Sequence, residues 1–272
     1  PSLFNLPSSA NYQFIEGDVG QMHLKPIFIG ANVVIHLAAI TDAAGSIDKA
    51  EELEANNFQS TLKVAEACIE ADAPLIALSS TSVYGTQKDQ VDENCSESEL
   101  QPQSPYATTK LKEEELISKF TIDKGLKAIH CRFGTIFGAS PGMRFHTAVN
   151  KFCWQAVMNQ PISVWSTAYD QKRPYLDLLD ASRAIAFIIK NNIFDGEIYN
   201  VLTINATVRQ VVETIKEFVP NLEIEFVNNR IMNQLSYEVM CDRFKSKGFV
   251  FSGDIRRGIK ETIDLLKHSN NN

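Results

Sequence analysis

The residues best suited to chemistry lie between Leu78 and Lys110. The stretch opens on Ser79-Ser80-Thr81-Ser82-Val83-Tyr84-Gly85 and closes on Tyr106-Ala107-Thr108-Thr109-Lys110. Tyr106 and Lys110 are one helical turn apart, so on a helix their side chains share a face. A tyrosine hydroxyl titrates near pH ~10, too high to serve as a base at neutral pH. An ammonium beside it favours the phenolate and lowers that value. A hydroxyl such as that of Ser80 can hydrogen-bond the same substrate oxygen. Together these groups make a proton-transfer device for interconverting an alcohol and a ketone. A lone Tyr-x-x-x-Lys says little, because any amphipathic helix with several Tyr and Lys produces one on its surface. Order adds to it here: strand, hydroxyl cluster, a loop with Pro102 and Pro105, then Tyr106 and Lys110.

Positioning these groups requires a strand that ends at the hydroxyl cluster and a helix that starts near Tyr106. Residues 75–78 read as the strand, following a helix that Pro74 breaks. Residues 111–124 continue the helix that Tyr106 opens. Apolar runs at 31–39 and 126–133, bounded by turn residues, fit parallel strands buried on both faces. Residues 12–19 read as a short strand with a turn, and 46–71 as helix. This alternation argues for an α/β fold with a doubly wound parallel sheet. Past Gly138 the alternation lapses. Helix 145–159, strand 162–165, a strand end at 175–179 and helix 181–190 are followed by strand 198–201. Helix 208–218, with Thr207 as N-cap, then precedes strand 224–227 and a terminal helix 255–267. Residues 270–272 are expected to fray.

The chain of 272 residues is long enough for one large domain or two small ones, and 44% hydrophobic content supports a sizeable core. A net charge of -7 disfavours a nucleic-acid surface, so any phosphate must be met by local groups. Cys68, Cys95, Cys131, Cys153 and Cys241 form no Cys-x-x-Cys pair, which argues for reduced thiols in a cytoplasmic compartment. The histidines show no metal-binding spacing, and His36, inside an apolar strand, reads as a core imidazole. No apolar run reaches membrane-spanning length, and no signal-peptide pattern opens the sequence.

From Tyr12 to Leu266 this order resembles the extended short-chain dehydrogenase/reductases, in the NAD-dependent sugar-nucleotide epimerase/dehydratase group. The resemblance implies a Rossmann-type NAD domain at 1–138 plus 176–203, and a smaller α/β substrate domain at 139–175 and 204–272. It implies Ser80, Tyr106 and Lys110 as catalytic groups, with Lys110 also binding the nicotinamide ribose. Asp18 stands where the family's acidic residue meets the adenine amino group; a turn Asp satisfying its own backbone is the plain alternative. Leu37-Ala38-Ala39 matches the small strand end that admits the dinucleotide, in line with ligand binding at carboxyl ends of parallel strands. Asn57 resembles the Asn of Asn-Val-x-Gly-Thr, with Ser60 in place of Gly. Phe133 and Ile136 are implied beside the nicotinamide. Thr81, Thr135, His146, Trp165 and Arg173 are implied for the substrate, Arg173 as a fork on the diphosphate and Trp165 either stacked on the base or buried in the core. Thr135 stands where Asn is usual. A nucleoside-diphosphate sugar is the implied partner, and a homodimer through the helices at 57–71 and 106–124 the implied assembly.

Two departures shape the expectations. The family opens on a strand–Gly-x-x-Gly-x-x-Gly–helix unit whose amides hold the pyrophosphate, and this sequence has no such run. Residues 12–19 resemble the family's third strand, so an N-terminal stretch on the order of 30 residues is expected ahead of Pro1. Dehydratases of the group follow the catalytic hydroxyl with Asp-Glu, an acid–base pair for eliminating water. Thr81 and Ser82 occupy those positions here. Elimination is therefore disfavoured, and NAD-dependent epimerisation through a keto-sugar is the best reading. A keto-sugar reductase of the same group, or a non-catalytic binding protein, are the alternatives.

Overall fold

The computed structural model describes residues 9–41, 50–85, 89–227 and 236–270. Its central sheet has four parallel strands, β1 (Val34–His36), β2 (Leu75–Ser80), β4 (Ala128–Phe133) and β8 (Ile198–Val201), in the order β1-β2-β4-β8. Every residue of β4 is buried, as the unbroken apolar pattern of a strand covered on both faces requires. β2 and β4 run in register from Leu75 opposite Ala128 to Ser80 opposite Phe133. The hydroxyl cluster therefore leaves the sheet at its carboxyl end, where α/β sheets bind ligands.

Two long helices cover one face. They are α2 (Ala50–Ala71) and α3 (Pro105–Lys124), which pack on each other and close a core of Val64, Cys68, Leu75, Ile117 and Ala128. α3 starts where Ser104 Oγ accepts from the Ala107 amide at 3.2 Å with Pro105 in the first turn, and stops at Gly125 in the left-handed conformation. The other face is covered by α5 (Leu178–Asn191) and α7 (Asp242–Ser246), around Ile129, Cys131, Ile188, Tyr199 and Phe244. A third core gathers α4 (Ala148–Val157), α6 (Val208–Phe218) and α8 (Ile255–Asn270) about Phe137, Phe152, Ile162, Val212 and Ile259. Three small sheets accompany them. β5 (Thr135–Phe137), β7 (Lys172–Asp177) and β9 (Ile204–Thr207) form one of mixed direction. β6 (Ile162–Trp165) pairs with β10 (Ile224–Val227), and β3 (Gln90–Val91) with β11 (Glu238–Val239). Helix α1 (Lys25–Phe28) is a single turn.

Several expectations are corrected. Residues 12–19 form no strand; they pair with no strand among the described residues. The expected strand at 31–39 is only three residues long, because β1 pairs on one side alone, with β2. The expected helix at 46–71 is seen from Ala50; residues 46–49 lie outside the described residues. The chain leaves the central sheet at Gly134: β4 ends at Phe133 and β5, in a second sheet, begins at Thr135. Backbone crowding favours glycine at this crossing, since a Cβ on Gly134 would lie 3.0 Å from the Pro174 carbonyl oxygen.

Candidate active site

At the carboxyl end of β2 the chain turns into a short 3-10 segment, Thr81–Val83, which Ser80 caps. Ser80 Oγ accepts from the Ser82 amide at 3.2 Å and the Ser82 hydroxyl at 2.9 Å. Both bonds use its lone pairs, so its own O–H points its donor capacity elsewhere. α3 packs on this segment. Tyr106, in the first turn of α3, is half-buried, and Lys110 one turn later is 4% exposed. Lys110 Nζ lies 5.9 Å from the centre of the Tyr106 ring.

The electrostatics of the pair differ from the expectation. Burial pushes the Tyr106 phenol above its ordinary value, and the Glu113 carboxylate pushes it the same way. Lys110 Nζ donates to Glu113 Oε2 at 2.8 Å, inside the protein. The lysine's charge is thus shared with a nearer carboxylate, and the phenol does not receive the lowering that a lone ammonium would give.

Around this core the other expected residues fall into two groups. Leu37 (61% exposed), Ala38 and Ile40 lie open beyond β1, and Ile136 is also exposed. Ala39 is half-buried. An apolar strand end left open at a carboxyl edge suits a flat ligand with apolar faces. Phe133 is buried at the end of β4. Asn57 is buried and clamps Ile40 from both sides: its Oδ1 accepts from the Ile40 amide at 2.8 Å, and its Nδ2 donates to the Ile40 carbonyl at 2.9 Å. It holds the loop after β1. Asp18 Oδ1 accepts from the Gly20 amide at 2.8 Å, the turn arrangement that was the plain alternative. That turn rests on α2, where Lys63 donates to the Gly20 carbonyl.

Thr81 is buried, and its hydroxyl donates to the Phe133 carbonyl at 3.3 Å, so it ties the segment after β2 to β4. Thr135 is half-buried in β5. Trp165 ends β6 and is exposed, which favours a surface for stacking over a core position. His146 is exposed just ahead of α4. Arg173 lies in β7; it donates to the Lys172 carbonyl at 3.0 Å and to Gln171 Oε1 at 2.6 Å, and desolvation lowers its pKa.

The sequence reading passed over three groups. Glu113 carries the strongest effect on Tyr106 after burial, and its spacing from Lys110 is that of a helical ion pair. Arg144 donates to Thr41 Oγ1 at 2.7 Å, tying the segment before α4 to the loop after β1. Arg132, fully buried in β4, makes two bonds to Glu114 at 2.9 and 2.6 Å and one to the Tyr84 hydroxyl at 3.0 Å. That network locks α3 onto β4 beneath Tyr106 and Lys110.

The 272 residues contain no Gly-x-x-Gly-x-x-Gly run, so the groups present fit the nicotinamide end of a dinucleotide and offer no amide cradle of that kind for its pyrophosphate.

A sequence profile of the NAD dependent epimerase/dehydratase family matches residues 2–201. A trifunctional UDP-glucose 4,6-dehydratase/UDP-4-keto-6-deoxy-D-glucose 3,5-epimerase/UDP-4-keto-L-rhamnose-reductase of Arabidopsis thaliana is 28% identical over 269 residues, covering 94% of this chain and 39% of that protein. An uncharacterized UDP-glucose epimerase of Bacillus subtilis, YtcB, is 29% identical over 204 residues, covering 74% of this chain and 62% of its own. The chain thus spans less than two thirds of the length of these relatives. Among solved structures, MoeE5 in complex with UDP-glucose and NAD superposes with a TM-score of 0.84 at 25% identity, over 94% of this chain and 86% of that one. With the family profile covering most of its length, this chain belongs to the NAD-dependent epimerase/dehydratase family.

Proposed function

We propose that this protein is an epimerase acting on a nucleoside-diphosphate sugar, by transient oxidation of one carbon to a ketone and re-reduction on its other face. The observation that carries the choice of reaction is the pair at 81 and 82. Neither is a carboxylic acid, and the Thr81 hydroxyl is spent on the Phe133 carbonyl. Eliminating water needs an acid and a base beside the catalytic hydroxyl, and this segment supplies neither. The names of the Bacillus relative and of MoeE5 support a UDP-sugar as the substrate class.

NAD, when bound, supplies the hydride acceptor and donor and a positive ring beside the phenol. Leu37, Ala38, Ala39, Phe133 and Ile136 would line its nicotinamide side, Asp18 its adenine, and Lys110 its ribose, with Asn57 holding the loop they depend on. Tyr106 takes the proton of the sugar hydroxyl and later returns it. Ser80 donates its free O–H to the same oxygen, which stabilises the charge that builds there. Thr135, His146, Trp165 and Arg173 are assigned to the nucleotide sugar, Arg173 to its diphosphate. In this account residues 1–138 and 176–203 bind the dinucleotide, 139–175 and 204–272 bind the sugar nucleotide, and α2 and α3 mediate a homodimer in the cytoplasm. All five cysteines are free thiols, as suits that compartment, and no helix among the described residues is long and apolar enough to cross a membrane.

A second reading, keto-sugar reduction, would use the phenol as a proton donor, the direction in which burial and Glu113 push it. Incubation with UDP-hexoses separates the two. An epimerase forms the isomeric UDP-sugar with no net change in dinucleotide redox state. Steady consumption of reduced dinucleotide on a UDP-keto-sugar establishes the reductase, and no turnover of either kind refutes both.

A further inference from the structure

Two neighbouring glutamates on α3 serve different partners. Helix spacing puts both Glu113 and Glu114 within reach of the Lys110 ammonium, one turn earlier. Arg132 of β4 takes both oxygens of Glu114, at 2.9 and 2.6 Å. Glu113 is left, and its Oε2 accepts from Lys110 Nζ at 2.8 Å. Its other oxygen, Oε1, is buried and has no partner among the described residues. It belongs to a small polar cavity that His36, Thr61, Ser79 and His130 also line, from β1, α2, β2 and β4. Ser79 Oγ and His130 Nε2 are likewise buried without a partner among the described residues. The free space of about 10 Å³ takes one water, and these three atoms supply the two to four polar partners that a buried water needs.

We propose that Glu113 is a positioning residue for Lys110: its carboxylate, braced by a water between Ser79 and His130, fixes the lysine ammonium one turn from Tyr106 and leaves the other N–H groups free for the ribose of the dinucleotide. The inference rests on the reading of Lys110 as the group that binds that ribose.

Donor count and charge support this. A lysine ammonium has three N–H donors, and Glu113 is the one acceptor for them among the described residues. Lys110 is only 4% exposed, so bulk water cannot stand in for a counterion. A buried ammonium without a partner charge is costly enough that it gives up its proton or moves towards solvent. No other described group around the cavity can take over. His36 bonds Thr61 Oγ1 at 3.0 Å, and burial, then Lys110, lowers its pKa to about 4. Burial chiefly lowers that of His130 to about 4 as well. Near pH 7 both imidazoles are neutral, and Ser79 and Thr61 carry no charge. The Tyr106 ring centre is 5.9 Å from Nζ, against 2.8 Å for the Glu113 oxygen. Glu113 therefore sets where the ammonium lies. A role in stability alone explains the pair poorly, because desolvation offsets much of the attraction in a buried ion pair.

The test is lysine acylation by a soluble N-hydroxysuccinimide ester, read residue by residue by mass spectrometry, and it needs no ligand. In the wild type Lys110 reacts more slowly than the exposed Lys112 and Lys127. In folded Glu113→Gln the lysine swings out or loses its proton, and either change speeds acylation. With one charge-assisted hydrogen bond lost, its rate should rise about tenfold or more while Lys112 and Lys127 keep theirs. An unmoved Lys110 overturns the proposal, and so does an equal rise at Lys112, which marks loosening of the whole helix. Should that variant not fold, Glu113→Asp replaces it, because it draws the carboxylate back by one methylene; a rise at Lys110 alone supports the proposal and no rise overturns it. Calorimetry with NAD is the second arm. Glu113→Gln should weaken binding, yet add nothing to the loss already present in Lys110→Met; losses that add overturn the proposal. A wild type that binds no NAD removes the dinucleotide reading, while acylation still decides whether Glu113 fixes Lys110. Turnover of a sugar nucleotide with an unmoved Lys110 does the reverse.

Discussion

In the first turn of α3, burial and the Glu113 carboxylate both push the Tyr106 phenol above its ordinary value, so taking a proton from the sugar needs the positive charges of Lys110 and of bound NAD to offset them. Replacing Tyr106 with Phe removes the proton carrier and little volume. Turnover of the sugar nucleotide should fall by about 10²–10⁴-fold, with dinucleotide still bound; fluorescence of the bound nucleotide and product analysis check the two halves. A variant that binds dinucleotide and keeps more than a tenth of the activity would remove Tyr106 from the chemistry. The order of strand, hydroxyl cluster and helix that carries Ser80, Tyr106 and Lys110 was legible, because each element has its own local pattern. The protonation state of the phenol was not. It depends on Glu113, which a motif confined to Tyr and Lys does not include, and on burial, which only the packed helix reveals. The bond of Thr81 was not legible either, since β2 and β4 in register bring the Phe133 carbonyl to its hydroxyl across the chain.

The elements position the site by clamps as much as by contact. Asn57 on α2 satisfies both backbone groups of Ile40, and the loop it fixes borders the proposed nicotinamide surface. Asn57→Ala leaves a buried donor and acceptor without their partner, which costs about 1–3 kcal/mol. We expect a lower urea midpoint together with weaker dinucleotide binding, measured by calorimetry. Loss of stability with unaltered binding would show that the loop does not shape the cofactor surface. Element boundaries followed chain-local signals where those exist. Thr207 caps α6 with a full capping box to Gln210, and Ser104, Pro105 and Gly125 bracket α3. They failed where pairing decides. Residues 12–19 carry a strand-like pattern but pair with no strand among the described residues, and β3 and β11 are two residues each, too short for any periodicity.

At the scale of the whole molecule, buried polar groups make the fold sensitive to acid. His36 and His130 titrate near 6.5 when unfolded and at about 4 when folded. Between those values the unfolded chain binds protons that the folded chain does not, so stability is intact above pH 6.5 and falls as pH drops towards 4. The loss is on the order of 3 kcal/mol per imidazole at most. Urea midpoints across that window should decline for the wild type and decline less steeply for His130→Gln; parallel slopes would contradict the assignment. The α/β class and the parallel sheet were readable from apolar runs such as 126–133. The sheet order, the crossing at Gly134 and the polar cavity were not, since each is set by residues far apart in the chain.

The account stands on hydride and proton leaving and returning at one sugar carbon, with no water lost. Incubation of the protein with UDP-hexose in deuterated water, followed by mass spectrometry and NMR of the product, tests this most directly. The predicted product is an isomer of unchanged mass, inverted at one centre, with no deuterium on carbon, and it is absent with Tyr106→Phe. A product lighter by one water and carrying carbon-bound deuterium would contradict it, because elimination beside a ketone removes a carbon-bound hydrogen that is restored from solvent.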